Sequence, residues 1–546
     1  MLKFFNPRMF LAWILSIITT FFVFGFLGNF YPTFFEIIIL TFLIQPLAGL
    51  LIYRLLGKAK DLHSSQPLGF AIALTLFLVL TFFSLSMYGM AAQFPRLFDA
   101  EYFILKNGQL IPFLAGSVLV VPCLAWGGRF VKQEGVKQTR LYHFVNEIVT
   151  GLLVAGFFFI VYLILASIFN QPVFDVDDIF FDSDGLLWRT RFVTDGYRDY
   201  YWRSVHPFVL LIVRPLITLV AFFLNGDRLA AAFVLVAFAG ALCVFLAWCF
   251  VKYTIGDSLY AALIASLLGA SAAHLVFGSL IETYIFLAAV AMTFMILLLK
   301  DRPQFVLIMT GTLSFGITIT NFIQTVIAFI FVKRDFKQWV KYGVIVGALV
   351  IPLTLLNNFI YPDSQPYFFI PSSFTTEADN TFAPSVARGQ AVLRVMFLHS
   401  IVAPDPLILK EEIPFLKVWI FKADPMRLSK YKTWFGKAVA LFWALLLLLG
   451  GYLFLKNLKK ADNRFSFAFI LILLFNFALH LRYGKDIFLY STNWTYSIVL
   501  FLALAWKDVA NNRWFQTGLL VFIALLLANN ARLIFTMLNT AALHIK

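Results

Sequence analysis

The sequence predicts an all-α polytopic membrane protein with about 15 transmembrane helices. Three observations carry that expectation. The chain is 61% hydrophobic and only 13% charged, whereas soluble domains average about 25% charged residues. Apolar runs long enough to span a bilayer, which takes about 20 residues each, recur along its length. None of them alternates apolar with polar as a barrel strand does, and backbone polar groups cannot go unpaired in lipid, so helices are the expected form.

The runs fall near residues 9–28, 34–55, 68–93, 110–127, 146–169, 206–224, 229–250, 259–276, 279–299, 305–332, 341–361, 436–455, 464–480, 490–506 and 514–536. Run 9–28 lacks a small-residue cleavage site and reads as a helix that stays. Run 305–332 is long and carries Gly311, Gly316 and a TITN stretch, so it could be two short helices. Basic residues in short loops mark the cytoplasmic side. Lys3 and Arg8 put the N-terminus there, followed by Arg54/Lys58/Lys60, Arg129/Lys132/Lys137/Arg140, Lys333/Arg334/Lys337/Lys341, Lys456/Lys459/Lys460 and Lys507/Arg513. One short loop breaks the alternation: Lys300–Asp301–Arg302 falls outside. The net charge of +15 then reflects loops facing an anionic leaflet, and no nucleic-acid partner is expected. Cys123, Cys243 and Cys249 all lie in apolar runs, so neither a disulfide nor a metal cluster is expected of them.

A composition shift near residue 145 divides the chain. Residues 1–145 read as an N-terminal four-helix membrane module, 146–361 as a core, 362–435 as an exterior loop or small cap, and 436–546 as C-terminal transmembrane helices. The 362–435 segment holds eight prolines and is too long for an ordinary connection.

The core contains the most informative stretch, the exterior loop 170–205. It holds Asp175, Asp177, Asp178, Asp182, Asp184, Asp195 and Asp199, a quarter of the 28 acidic residues, with Arg189, Arg191, Arg198 and Arg203. A solvated loop would also be acidic. Against that, Asp182 and Asp184 in FDSDG are flanked by Ile179, Phe180, Phe181, Leu186, Leu187 and Trp188, so the segment should pack at the bilayer surface. Two carboxylates two residues apart can share a divalent cation, Mg or Mn, or raise one another's pKa as a general base needs. Nearby arginines could hold a phosphate.

His206–Pro207 opens the next run, and Pro is favoured in a helix's first turn. Arg203 stands one turn before His206, and Arg214 two turns deeper. An arginine in a span is a functional hypothesis by default; a structural partner such as Glu282 is the even alternative. Further on, HLRYGKDIFLYSTNW (480–494) gathers His480, Arg482 and Lys485 at a boundary lined by Tyr483, Tyr490 and Trp494, with Asp486 among them. An aromatic belt accounts for part of this. Glu282 and Asn321 could be packing hydrogen bonds. The sequence has no Walker loop, dinucleotide fingerprint, zinc spacing or Gly–x–Ser–x–Gly elbow.

The order of these features resembles the GT-C superfamily of integral-membrane glycosyltransferases. The features are helix 146–169, the acidic FDSDG loop, and YWRSVHPFVLLIVRP opening the next helix; YGKDIFLYSTNWTY resembles a later segment of bacterial members. The resemblance spans residues 146–506, and the additional N-terminal helices depart from it. It implies a GT-C-like core and an enzyme that moves a sugar from a polyprenyl-phosphate carrier to an acceptor, a glycan, lipid or protein, on the exterior face of a bacterial inner membrane. On this reading Asp184 is the general base and Asp182 supports it or binds the cation. Arg203, His206, Arg482 and Lys485 hold the carrier phosphate, and Asp178, His480, Tyr483, Asp486 and Tyr490 are further candidates. The lipid tail would lie between spans. The rivals are a flippase or other transporter using Arg214, Glu282 and Asn321 along a pathway, and an assembly subunit without catalysis.

Overall fold

The computed structural model describes residues 7–131, 133–412, 415–459 and 462–544. Lys3, Lys132 and Lys460, part of the basic-loop pattern, lie outside them. The chain is largely helical. Among the described residues nine helices are long and apolar enough to cross a membrane, and seven more apolar helices have 10–17 residues. The protein is therefore an all-α, multi-pass membrane protein by the length and composition of its helices.

Two compact units are present. The first comprises Met1–Leu78 and Tyr88–Leu153. Its helix Phe34–Ser65 begins with a capping box, in which Thr33 and Glu36 satisfy each other's backbone N–H. It lies against helix Asn107–Phe130 where small residues permit close approach: a Cβ on Gly116 would stand 2.8 Å from Thr41, and one on Gly49 2.7 Å from Leu124.

The second unit comprises Val79–Met87 and Val154–Lys546. Its centre is helix Arg228–Ile255, buried along most of its length between Ser258–Ala270, Tyr284–Leu299 and Thr492–Ala505. Asp227 caps its start and Gly256, at φ +92, ends it.

One expected span is resolved into the two helices its sequence allowed, and another is corrected. Run 305–332 is two helices, Gln304–Ile317 and Ile319–Lys333, joined at an extended Thr318. Asp301 and Lys333 form an ion pair, and Gln304 donates to the Gln338 carbonyl (2.9 Å), so the segment enters and returns as a hairpin. Each arm, at 1.5 Å per residue, reaches only about 21–23 Å. The hairpin brings the Lys300–Asp301–Arg302 loop to the end where Lys333 lies, and the exception to the basic-loop alternation disappears as a matter of geometry. Run 206–224 is the 14-residue helix Val209–Phe222. Before it, the Phe208 N–H bonds the Gly316 carbonyl at the hairpin tip; beyond it, Arg228 reaches Asp195 of the preceding acidic loop (3.2 Å). This helix starts and ends on the acidic-loop side and does not carry the chain across.

Segment 362–435 is built from short elements: the 3-10 helix Pro371–Asn380, helix Val386–Arg394, the antiparallel strands Leu407–Glu412 and Phe415–Trp419, and the pair Phe421–Lys422 with Arg427–Leu428. Cysteines placed at Asp301 and Lys333, in a chain lacking its native cysteines, should be joined by a short thiol cross-linker, while a cysteine at Ser385 should label from the opposite membrane face. Labelling of positions 301 and 385 from one face would remove the hairpin.

Candidate functional site

Three distant stretches meet at one end of the second unit. Phe181 donates to the Val418 carbonyl (2.8 Å), and Val418 returns the bond to Ile179 (2.7 Å). Asp199 donates to the Ser364 carbonyl (2.8 Å), and Phe382 to that of Arg482 (2.7 Å). Four backbone hydrogen bonds thereby join loops of little regular structure. The acidic motif itself is a tight turn, with the Asp178 N–H on the Ser183 carbonyl (2.9 Å) and Asp178, Phe181 and Asp182 all at φ between +58° and +67°. Left-handed backbone at three non-glycine residues stores strain of the kind found at functional sites.

Asp184 stands at the centre, its side chain 13% exposed. Arg203 Nη2 donates to its Oδ2 at 2.9 Å. The Asp184 N–H donates to Glu282 Oε1 at 2.7 Å, so a fully buried glutamate fixes the backbone beneath the carboxylate. Burial works against the Arg203 charge, but Asp184 and Asp199 outweigh it and hold the guanidinium well above its ordinary value. Asp199 lies between Arg203 (3.6 Å) and Arg191 (3.5 Å), both pairs buried. Burial lowers Arg191 to about 10. Arg191 also donates to Gln365 Oε1 at 3.0 Å. A chain of paired charges, anchored by Gln365, thus runs from Arg191 through Asp199 and Arg203 to Asp184.

Asp182 is buried beside it, and the Asp486 N–H approaches its Oδ2 at 3.4 Å. Burial first, then the charges of Asp178 and Asp184, push the Asp182 carboxyl well above the usual carboxylate range, while Lys485 pulls it down. Asp178 also pairs with Lys417 (3.7 Å). The excess of negative charge fits a cation. A coordination shell does not: among the described residues no three His, Cys, Asp or Glu side chains are grouped to hold a metal ion.

The expected phosphate-binding set comes together in part. Arg203 faces the carboxylates, and exposed Lys485 lies within electrostatic reach of Asp182. Arg482 is exposed, and its backbone, through the Phe382 bond, joins the two loops. His206 has a local partner. It is 3% exposed, and burial, then the Arg203 charge, lower it to about 3, so it is a neutral ring. Its Nδ1 lies 2.6 Å from the Ile317 carbonyl, which can only accept, so Nδ1 carries the proton. It satisfies the carbonyl freed where the hairpin breaks, and its ring packs edge-on against Trp188. His480 is likewise buried, its Nδ1 3.1 Å from the Tyr483 carbonyl and its ring 4.6 Å from that of Tyr490. The stretches meet through loops: Val209–Phe222 packs on Arg228–Ile255, and Arg464–His480 on Ile319–Lys333 and Thr492–Ala505.

The other candidates hold the loops in register. Asp486 accepts from Ile420 (2.8 Å), Phe421 (3.2 Å) and Phe488 (2.9 Å), and burial raises it to about 7. Tyr483 donates to Glu377 Oε2 at 2.5 Å. Tyr490 packs against Tyr284, with ring centroids 5.1 Å apart.

Sequence reasoning missed several groups. Arg388 donates to the carbonyls of His480, Leu481, Tyr483 and Gly484 and so clamps that turn. Glu282 is not the partner of Arg214. Arg214 donates to the carbonyls of Arg191 (2.8 Å) and Thr194 and stacks over Tyr197. Asp177 Oδ1 accepts from Leu186 (2.8 Å) and Leu187 (3.2 Å) at the start of helix Gly185–Val193. The spacing of an aspartate from a helix start was the available signal, but the seven aspartates of this loop obscured it.

Burial, then the Asp184 charge, raises Asp177 to about 7. A carboxyl raised in the folded state binds its proton more tightly there than in the unfolded chain. Its stabilisation is complete below pH ~4 and lost as pH rises through about 7. Stability of the detergent-solubilised protein should therefore fall across that window, and Asp177→Asn should make the fall shallower, as read by thermal unfolding at pH 4 to 8. An unchanged slope would refute this assignment. Comparison with family models, curated proteins and solved structures found no match to this chain.

Proposed function

We propose that the protein is a membrane glycosyltransferase that moves a sugar from a polyprenyl-phosphate carrier to an acceptor on the exterior membrane face. The observation that carries this reading is the largely shielded Asp184 carboxylate, gripped by Arg203, braced from below by Glu282 and adjoining a carboxylate-rich turn. Asp184 acts as the general base: it takes the proton of the acceptor hydroxyl as that oxygen attacks the anomeric carbon and the carrier phosphate departs. Arg203 holds Asp184 in place and, with Lys485, stabilises the charge developing on the departing phosphate. Asp182, whose carboxyl burial and the neighbouring Asp178 and Asp184 hold well above the usual range, supports the turn.

Two further observations support this over transport. Arg214, Glu282 and Asn321, the polar groups a pathway would use, have local partners: the Thr194 carbonyl, the Asp184 N–H and the Gln324 amide. Many of the remaining buried ionisable groups sit in the loops that converge on Asp184. The membrane orientation, the bacterial inner membrane and the GT-C-type core belong to the same proposal.

Asp184→Asn should reduce transfer from a purified lipid-linked sugar by about 10²–10⁴-fold. Asp175→Asn should leave it close to wild type, because Asp175 is 80% exposed and lies 3.9 Å from Arg189. Full activity in the Asp184 variant would remove the proposed base.

A further inference from the structure

A hollow adjoins this site. It has a volume of about 530 Å³ and is lined by Trp202, Asp363, Gln365, Tyr367, Ser373 and Thr376, among others. That volume lies within the roughly 300–1,000 Å³ of small-molecule sites. Its walls are continuous with the candidate site. Trp202 precedes Arg203, Thr376 precedes Glu377, and Ser204 Oγ donates to the Ser373 carbonyl at 3.3 Å.

Two features mark it as built to hold something. Trp202 and Asp363, on separate segments, both have left-handed backbone, at φ +55° and +53°. Such conformations in bulky or polar residues persist only where the surroundings enforce them, and they gather at ligand sites. The second feature is Gln365, which is 2% exposed. Arg191 has only donors, so it fixes the Gln365 oxygen toward itself at 3.0 Å. The other end of the amide, Nε2, is then a fixed pair of donors, buried and without a hydrogen-bond partner among the described residues. Arg191 also belongs to the ion-pair chain that ends at Asp184, so one residue orients both the hollow and the base.

The chemistry of the lining narrows the occupant. Among the described residues it contains no lysine or arginine, so it does not suit a phosphate or a carboxylate. Trp202 and Tyr367 offer apolar ring faces; the Gln365 amide, the hydroxyls of Ser372 and Thr375 and the carboxylate of Asp363 offer donors and acceptors. A neutral ring with C–H faces and hydroxyl edges satisfies both at once. The geometry points to a saccharide-binding subsite in this hollow, with Gln365 donating to a sugar oxygen and Trp202 covering a ring face. On the transferase reading, on which this assignment of its role rests, the bound sugar belongs to the acceptor and presents a hydroxyl toward Asp184.

The test uses the full chain in detergent and saturation-transfer NMR with a panel of neutral probes: glucose, galactose, mannose, N-acetylglucosamine, arabinose and their disaccharides. At least one should receive saturation at its ring protons. Trp202→Gly, which suits the left-handed backbone, and Gln365→Leu should each weaken that binding at least tenfold. Asp184→Asn should retain it. No signal from any saccharide, or an undiminished signal in both hollow variants, overturns the subsite. So does exclusive binding of a trilysine probe, which would make the Asp363 carboxylate the recognising group. Saccharide binding that needs Trp202 and Gln365 in a protein without transferase activity leaves the subsite standing and removes the proposed reaction.

Discussion

The buried charge chain Arg191–Asp199–Arg203–Asp184 is the constraint on which the rest of this end of the molecule depends. Arg191 and Asp199 are each 0% exposed. Removing a charge from water costs several kcal/mol, and only a partner at close range with its remaining hydrogen bonds satisfied offsets this. Each member therefore recruits structure. Arg191 takes the carbonyls of Tyr197 (3.0 Å) and Ser364 (3.2 Å). Asp199 accepts from the Tyr201 N–H (2.9 Å) and turns the chain back. Arg203 crosses to Asp184, whose backbone Glu282 holds. An acidic loop, a segment some 170 residues later and the start of a helix are thereby fixed relative to one another. A residue proposed to act chemically needs this kind of support, because a general base works only when its position is set beforehand.

The same economy governs the interrupted helices. Lipid offers no hydrogen bonds, so a helix can break within the bundle only where protein groups take up the freed backbone. At Thr318 the carbonyls of Gly316 and Ile317 are taken by the Phe208 N–H and the His206 ring, and the Ile319 N–H goes to the Val205 carbonyl. At Ser271 the Ala272 and Ala273 N–H groups go to the carbonyls of Ile401 and Ser400, while Asn530 donates to those of Ala270 and Ile401. Both breaks occur where loops descend into the unit, and each ties a loop to the helical frame. His206 and Asn530 are thus polar residues in apolar surroundings for a structural reason.

Much of the helical order was legible in the sequence, because length and hydropathy are properties of a single segment. The run 146–169 and the helix Arg140–Phe169 that contains it, the run 229–250 within Arg228–Ile255, and the split in 305–332 signalled by Gly311, Gly316 and TITN are all local. The acidic turn was legible for a related reason. Carboxylates set among Ile179, Phe180, Phe181 and Trp188 cannot all face water, and Asp182 is 9% exposed. Chain direction was less legible. Val209–Phe222 has the composition of a span, yet its length and the return of Arg228 to Asp195 keep it on one side.

By itself, then, the sequence determined a multi-pass helical protein with a strongly polar, aromatic-flanked loop between two apolar segments, because burial of apolar surface and avoidance of unpaired backbone act on each segment separately. Only the tertiary structure decided which polar group meets which. Glu282 lies beneath Asp184 across 98 residues, Arg388 closes the 480–484 turn from more than 90 residues away, and His206 meets the Ile317 carbonyl at a helix break. A hydrogen bond forms within about 3 Å and in a narrow range of directions, and neither condition exists until packing has brought the partners together.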